Sequence, residues 1–378
     1  MLKKIAIVVG YVLLVTAIIT VMVFAHLGAE RHRNTQPITL FSISIDGAEG
    51  HNLIDEASMH RWFKLHDIHP EGRTIGEVDL ATLESVALEH SAVLDANAFI
   101  TYDGCIEMSI IQREPIMRLK LDGYDHYVAR DGHVFRSTNG YAAYVPVITG
   151  GYKPLFDEEF VGDVATFLLD SIGSLNRQIA ELEQHKYSIY RKSKRAKERL
   201  KCVRDSVVQK SWFMSGERYD ALKENLKLFK EAYEQRHNEE EREREKSLVK
   251  IEKREESIYN SINKMRKRAA DFERLEKFVI YVLGNDFWRA EITQVVASES
   301  GSSDMLLKLI PRSGDFVIDF GEVTEVESKF KALERFYQSV LRSVGWDTYN
   351  IISVRYDGQV VCREAPRKSS NEEAESKN

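Results

Sequence analysis

Residues Ile5 to Phe24 contain no charged side chain. A charge-free apolar run of this length matches the roughly 20 residues a helix needs to cross a bilayer core. A cleaved signal peptide is the competing assignment. Its apolar region usually runs only about 7–15 residues and ends in a small-residue cleavage site. The Ala25–Ala29 stretch makes a poor site of that kind. The expectation is an uncleaved membrane helix over 5–24, with residues 1–4 as a short tail and everything functional beyond the span. Lys3 and Lys4 precede the run and Arg31 and Arg33 follow it, so basic residues alone do not set its orientation.

Of the 378 residues, 43% are hydrophobic and 30% charged, enough for genuine cores in two or three domains. The net charge of -6 does not supply the concentrated basic surface that nucleic acid requires. Cys105, Cys202 and Cys362 are odd in number and far apart, and they form no CxxC pair. Neither a disulfide framework nor a zinc site is expected from them.

Leu40 to Ile45 alternates in the manner of a strand, and Asp46-Gly47 turns the chain. A short helix is expected over Asn52 to Lys64, and a second from Leu80 with Asp79 as its N-cap. Val93–Tyr102 and Ile106–Gln112 flank Asp103-Gly104, a strong hairpin signal. The order βααββ over residues 38–114 describes three strands covered by two helices, a small α+β domain. β character returns over Ile116 to Gly151, followed by a helix expected from near Glu159.

The next hundred residues differ in kind. Leu168, Ile172, Leu175, Ile179 and Leu182 follow a 4-3-4-3 spacing, continued by Ile189, Ala196, Leu200, Val203 and Val207. That is a sustained heptad. A second helical run starts at Tyr219, becomes almost wholly charged at Glu234–Lys246, and resumes with Leu248, Ile251, Ile258 and Ile262. The expectation is an antiparallel helical hairpin over 173–275 with its tip near Gly216. Basic residues between His185 and Lys201 would then face the Glu-rich stretch Glu234–Glu245. Beyond it, Asp286–Trp288, Ile292–Val296, Met305–Ile310, Phe316–Phe320, Ile351–Tyr356 and Gln359–Arg363 have strand character, and Val326–Val344 is an amphipathic helix. Residues 115–172 and 276–364 therefore form one discontinuous mixed α/β domain with the hairpin inserted, ahead of a polar tail at 365–378.

Several segments together carry a resemblance. Asp79-Leu80, Val93 to Ala98, Tyr102 to Gly104 and Gln112 to Pro115 resemble a POTRA domain and its exit strand. Gly123 to Gly132 and Val145 to Gly150 resemble the start of the β domain of the division proteins FtsQ/DivIB. Its far end resembles Gly314 to Gly321, Lys329 to Tyr337, Gly345-Trp346 and Val354 to Val361. The Gly-Trp and Gln-Val-Val endings are most similar to the Bacteroidetes branch. The resemblance implies a type II single-pass protein of the bacterial inner membrane, with its body in the periplasm at the division septum. It implies partners of FtsB/FtsL type, bound by the last strands of the β domain, and other divisome contacts through the POTRA-like domain. It implies no enzymatic activity, no cofactor and no small-molecule substrate. Carried onto this sequence, the partner-binding strand is Arg355, Tyr356, Gly358, Gln359, Val360, Val361 and Cys362. Some relatives carry a binding Arg after a Leu-Gly pair; here Phe320-Gly321 is followed by Glu322, a reversal of charge. The hairpin itself is a departure from ordinary relatives.

No nucleophile motif, phosphate loop or HExxH pattern is present. His51, His60, His66 and His69 lie near Glu56 and Asp67, and are expected to be surface histidines rather than a metal site. A periplasmic adaptor of an efflux or secretion system is the alternative, because it shares an anchor, a long hairpin and flanking β structure. In that case the tip would dock on a channel. Trp212, Phe213 and Met214 make the tip a candidate docking point, against a plain packed turn.

Overall fold

The computed structural model describes residues 2–47, 53–137, 143–299, 305–356 and 358–365. His51, Asp357 and the expected polar tail beyond Ala365 lie outside them. The first helix, α1 (Leu2–Asn34), continues past Phe24, since Ala25–Asn34 is made largely of good helix formers and carries an i,i+4 pair, His26–Glu30. Within it Leu13–Asn34 is apolar enough, at a mean hydropathy of 1.9, to cross a membrane, and none of that stretch is buried.

Three strands follow in a small sheet ordered β1-β3-β2: β1 (Phe41–Asp46), β2 (Val93–Ile100) and β3 (Ile106–Gln112). β1 runs parallel to β3, and β2 antiparallel to it. Alternation along β3 buries Ile106, Met108 and Ile110 against Phe41, Met59, Phe63 and Leu83. The covering helices are α2 (Glu56–Leu65) and α3 (Leu80–Glu89). α2 begins later than the expected Asn52 because Asp55 caps it: its carboxylate accepts from Ser58 N at 2.7 Å, and Ser58 Oγ accepts from Asp55 N at 3.0 Å. Asp79 caps α3 by accepting from Ala81 N.

Among the described residues the second sheet has ten strands. In chain order they are β4 (Pro115–Leu121), β5 (Tyr124–Ala129), β6 (His133–Arg136), β7 (Val147–Gly150), β8 (Gly162–Asp163), β9 (Ile292–Glu299), β10 (Met305–Pro311), β11 (Val317–Glu322), β12 (Tyr349–Ser353) and β13 (Val361–Glu364). Across the sheet they stand β13-β12-β11-β10-β9-β7-β4-β5-β6-β8. Parallel pairing of β7 with β9 joins segments far apart in sequence into one surface. One transverse row shows how the face is built: Cys362, Ile352, Ile318, Leu309, Val295, Ile148, Leu119 and His126 are successive cross-strand partners. From Ile352 to His126 every member is buried.

Aromatic side chains cover this face at its C-terminal half. Phe278 and Phe330 meet Phe320 with ring centroids 5.0 and 5.4 Å away, and Trp288 lies 4.9 Å from Phe330. Trp288 corrects an expectation, since Asp286–Trp288 is the start of helix α6 (Asp286–Glu291), not a strand. Asn285 Oδ1 accepts from the backbone N–H of Phe287 and Trp288 and so caps a turn of helix there. The amphipathic helix α7 (Val326–Phe336) buries Phe330 and Leu333 and continues as one π turn over Tyr337–Leu341.

The chain divides into two units, Met1–Val164 with Arg274–Asn378, and Ala165–Glu273. The second consists of parts of two long helices, α4 (Val164–Asp205) and α5 (Gly216–Leu283). α4 starts at Val164 rather than near Glu159, because Gly162–Asp163 pairs with β6. Lys186–Glu255, Lys197–Glu241 and Arg204–Glu234 contacts set the two helices in antiparallel order. Ile179, Ile258 and Ile262 form a core between them. The expected seam residue Val207 is 75% exposed: α4 ends at Asp205, and residues 206–215 connect to α5. Ser215 Oγ accepts from Arg218 N at the start of α5.

Candidate partner-binding edge

Among the described residues β13 pairs with β12 alone and is an outer strand of the large sheet. Two backbone bonds fix which of its groups are free. Ala365 N donates to Thr348 O at 3.0 Å, so alternation turns the N–H groups of Arg363 and Val361 toward β12 as well. On β12, Val354 N donates to Asp319 O at 3.0 Å, which turns Ser353 toward β13, opposite Val361. The two bonds agree. The N–H and C=O groups of Cys362 and Glu364 therefore point away from the sheet and can extend it.

The expected strand boundaries are corrected here. Strands expected over Ile351–Tyr356 and Gln359–Arg363 are Tyr349–Ser353 and Val361–Glu364 instead. Gly358 adopts φ +65°, and Gln359 N donates to Tyr356 O at 3.2 Å, closing a turn between the two expected strands where the resemblance implied one continuous binding strand. Arg355, Tyr356, Gly358, Gln359 and Val360 thus belong to the connection, and only Val361 and Cys362 lie on the edge strand. Tyr356 is 60% exposed and Val361 47%. Cys362 shares the buried face with Ile352, and burial raises its thiol pKa. Glu364, with its free backbone groups, falls outside the strand as read from sequence; the alternation of apolar and polar residues ends before it, so only the backbone pairing reveals it.

The turn is braced from the neighbouring strand. Arg355 lies against Gly321, at the end of β11, where φ is +74°. The buried Lys329 of α7 donates from Nζ to Glu322 O at 2.7 Å and to Phe320 O at 3.2 Å. Burial lowers the Lys329 pKa against the opposing pull of Glu322, Glu325 and Asp319. A lysine on an apolar helix face carries no sequence signal that distinguishes this brace from a solvated cation.

The tip candidates sit in the connection of the helical unit. Trp212 and Phe213 are 93% and 95% exposed, and Met214 is half-buried. Among the small-sheet histidines, His60 Nδ1 and His69 Nε2 are 2.9 Å apart, both rings packing edge-on against Phe41. They are half-buried, not surface groups. Among the described residues no cluster of His, Cys, Asp or Glu is arranged to hold a metal ion.

Residues 252–363 match the family model FtsQ/DivIB, C-terminal related. The match takes in α5 from residue 252, helices α6 and α7, strands β9 to β12, and β13 as far as Arg363. No curated protein matches the chain.

Proposed function

We propose, on the premise of an FtsQ/DivIB-type protein whose C-terminal domain is related to that family, that the chain is a cell-division scaffold of the bacterial inner membrane. Its apolar helix α1 anchors it, and its body lies in the periplasm at the septum. It acts by binding FtsB/FtsL-like proteins, not by catalysis, and so coordinates septal wall synthesis. The small α+β domain serves as the POTRA-like module for other divisome contacts.

The observation that carries the mechanism is the free edge of β13. Unpaired N–H and C=O groups on Cys362 and Glu364 accept an incoming strand by β-augmentation, with Val361 and Tyr356 offering exposed side chains beside it. The adaptor alternative has no comparable support.

Proline substitution tests the reading, because proline lacks the backbone donor and is tolerated at an edge only where that donor faces outward. Glu364→Pro and Cys362→Pro remove outward donors; Val361→Pro removes one that faces β12. The measurement is capture of the organism's FtsB/FtsL-like pair by the full chain. Wild type captures the pair, and the two outward variants lose capture while keeping the wild-type unfolding transition. Val361→Pro loses both. Capture unchanged in both outward variants would sink the edge-strand mechanism, and no capture by wild type would remove the partner assignment.

A further inference from the structure

The helix α5 begins before α4 has an end to offer it. Arg204 pairs with Glu234, and Lys230 Nζ donates to the carbonyl oxygens of Arg204 and Ser206 at 2.6 Å, so the last turn of α4 faces α5 near Tyr233. Residues 216–232 of α5 run past that point. Apart from Lys230, which reaches back to the end of α4, their companion among the described residues of the helical unit is the non-helical connection, whose Lys210 sits over the Tyr219 ring at 5.7 Å.

This free stretch keeps a coiled-coil pattern. Tyr219, Leu222, Leu226, Phe229 and Tyr233 repeat at 3-4-3-4 spacing. Leu222 and Phe229 are exposed, while Tyr219, Leu226 and Tyr233 are half-buried, so the stripe is open at its d positions. The flanks of the stripe are one-signed. With Tyr219 at position a, positions e and g hold Gly216, Arg218, Lys223, Asn225, Lys230 and Ala232, and every acid of the stretch falls on b or f. In the paired part α5 instead presents Glu234, Glu241 and Glu255, which fall on position b of the same register, to cations of α4. A basic helix such as α4 would set like charge against Arg218, Lys223 and Lys230. A second copy meeting it antiparallel would oppose basic flank to basic flank.

We infer that residues 216–233 are a docking face for an amphipathic α-helix of a partner protein, apolar at its own a and d positions and acidic at e and g. The stripe is two residues in seven, the width of a helix–helix seam and narrower than the broad apolar face of a helix lying in a membrane surface. It runs about 27 Å at 1.5 Å per residue, enough for between two and three heptads.

The test uses the full chain in nanodiscs of zwitterionic lipid and two synthetic three-heptad peptides. Both have Leu at a and d; one has Glu and the other Lys at every e and g. The Glu peptide binds at least about tenfold more tightly than the Lys peptide, the size of effect that complementary flanking charge produces. Arg218→Glu with Lys223→Glu reverses the order. Leu222→Asp with Phe229→Asp loses binding of both peptides while the helical circular dichroism is unchanged. Equal binding of the two peptides, no binding, or a preference that survives the charge reversal overturns the inference. Association with phosphatidylglycerol vesicles that depends on the same residues, without a peptide preference, also overturns it and makes the surface a lipid-binding one.

Discussion

Gly321 leaves the hollow in which Arg355 lies: a Cβ on Gly321 would stand 2.6 Å from Arg355 Cγ. The φ of +74° makes any side chain there strained as well. Gly321→Ala is expected to lower stability by about 1–2 kcal/mol, the cost of a left-handed backbone for a residue with a Cβ. It also pushes Arg355 away from β11. Gly151→Ala is the control, since nothing lies within 4 Å of a Cβ there. Denaturant unfolding of the two variants reads the stability difference, and partner capture reads the displacement. Equal stability and equal capture would show that the contact has no role.

Lys329 makes the second brace of that corner. Its ammonium is buried, bonds two carbonyl oxygens and lies 4.8 Å from the Phe320 ring centroid. Lys329→Met keeps the stem and deletes the charge. The expected loss is about 1–3 kcal/mol, the range for stranding buried hydrogen-bonding partners. Because Glu322 O is then released, the β11 end loosens, and hydrogen exchange should speed up at Glu322 before it does so in β10. Uniform exchange across both strands would contradict this.

The parts of the fold that depend on local chemistry are legible in the sequence. The Asp79 cap, the Asp103-Gly104 turn and the heptads of α4 each follow from a few adjacent or evenly spaced residues. Trp288 shows the limit. Its segment has strand propensity, but Asn285 caps a turn of helix, and burial against Phe330 and Tyr337 makes that turn worthwhile. The edge site is half legible for a related reason. Tyr356-to-Cys362 composition marks the region, yet which groups are free depends on pairing with Thr348 and Ser353, and on the turn that Gly358 inserts. The free stretch of α5 depends on where α4 stops, which the continuous apolar spacing through Val207 conceals.

Four histidines, His126 buried and His69, His90 and His133 half-buried, make the larger unit sensitive to acid. Burial lowers the pKa of His69, His90, His126 and His133 from the ordinary 6.5. Each therefore takes up a proton more readily when unfolded. Their neutral form supports the fold above the unfolded value, and stability falls as pH drops below it. The melting temperature of the larger unit should decline from about pH 7.5 to about pH 5.5, the range in which unperturbed histidine gains its charge. His126 sits in the buried transverse row beside the rings of Tyr124 and Phe156. His126→Phe should flatten part of this decline. An unchanged slope would remove His126 from the explanation.

Glu241 gives the helical unit the opposite kind of limit. Burial acts to raise its pKa, but hydrogen bonds from Ser193, Arg244 and Lys197 outweigh that and hold it down at about 2, against an ordinary 4.5. Lys197 reaches it from α4 at 3.3 Å, and Arg244 from one turn along α5 at 2.8 Å. A carboxylate whose pKa is lower in the folded state stabilises the fold fully above 4.5, and the contribution fades as pH falls toward 2. Helicity of the arm should thus hold through mild acid, where the desolvated histidines already weaken the larger unit, and fail only below about pH 3. Ser193→Ala removes one donor and leaves the cations in place. It should move the acid midpoint of the arm upward toward the ordinary carboxylate value, read by circular dichroism of the full chain during acid titration. A midpoint that stays put would mean that the cations alone hold Glu241 ionised. A midpoint that moves in Lys197→Met but not in Ser193→Ala would assign the effect to the bridge between the two helices.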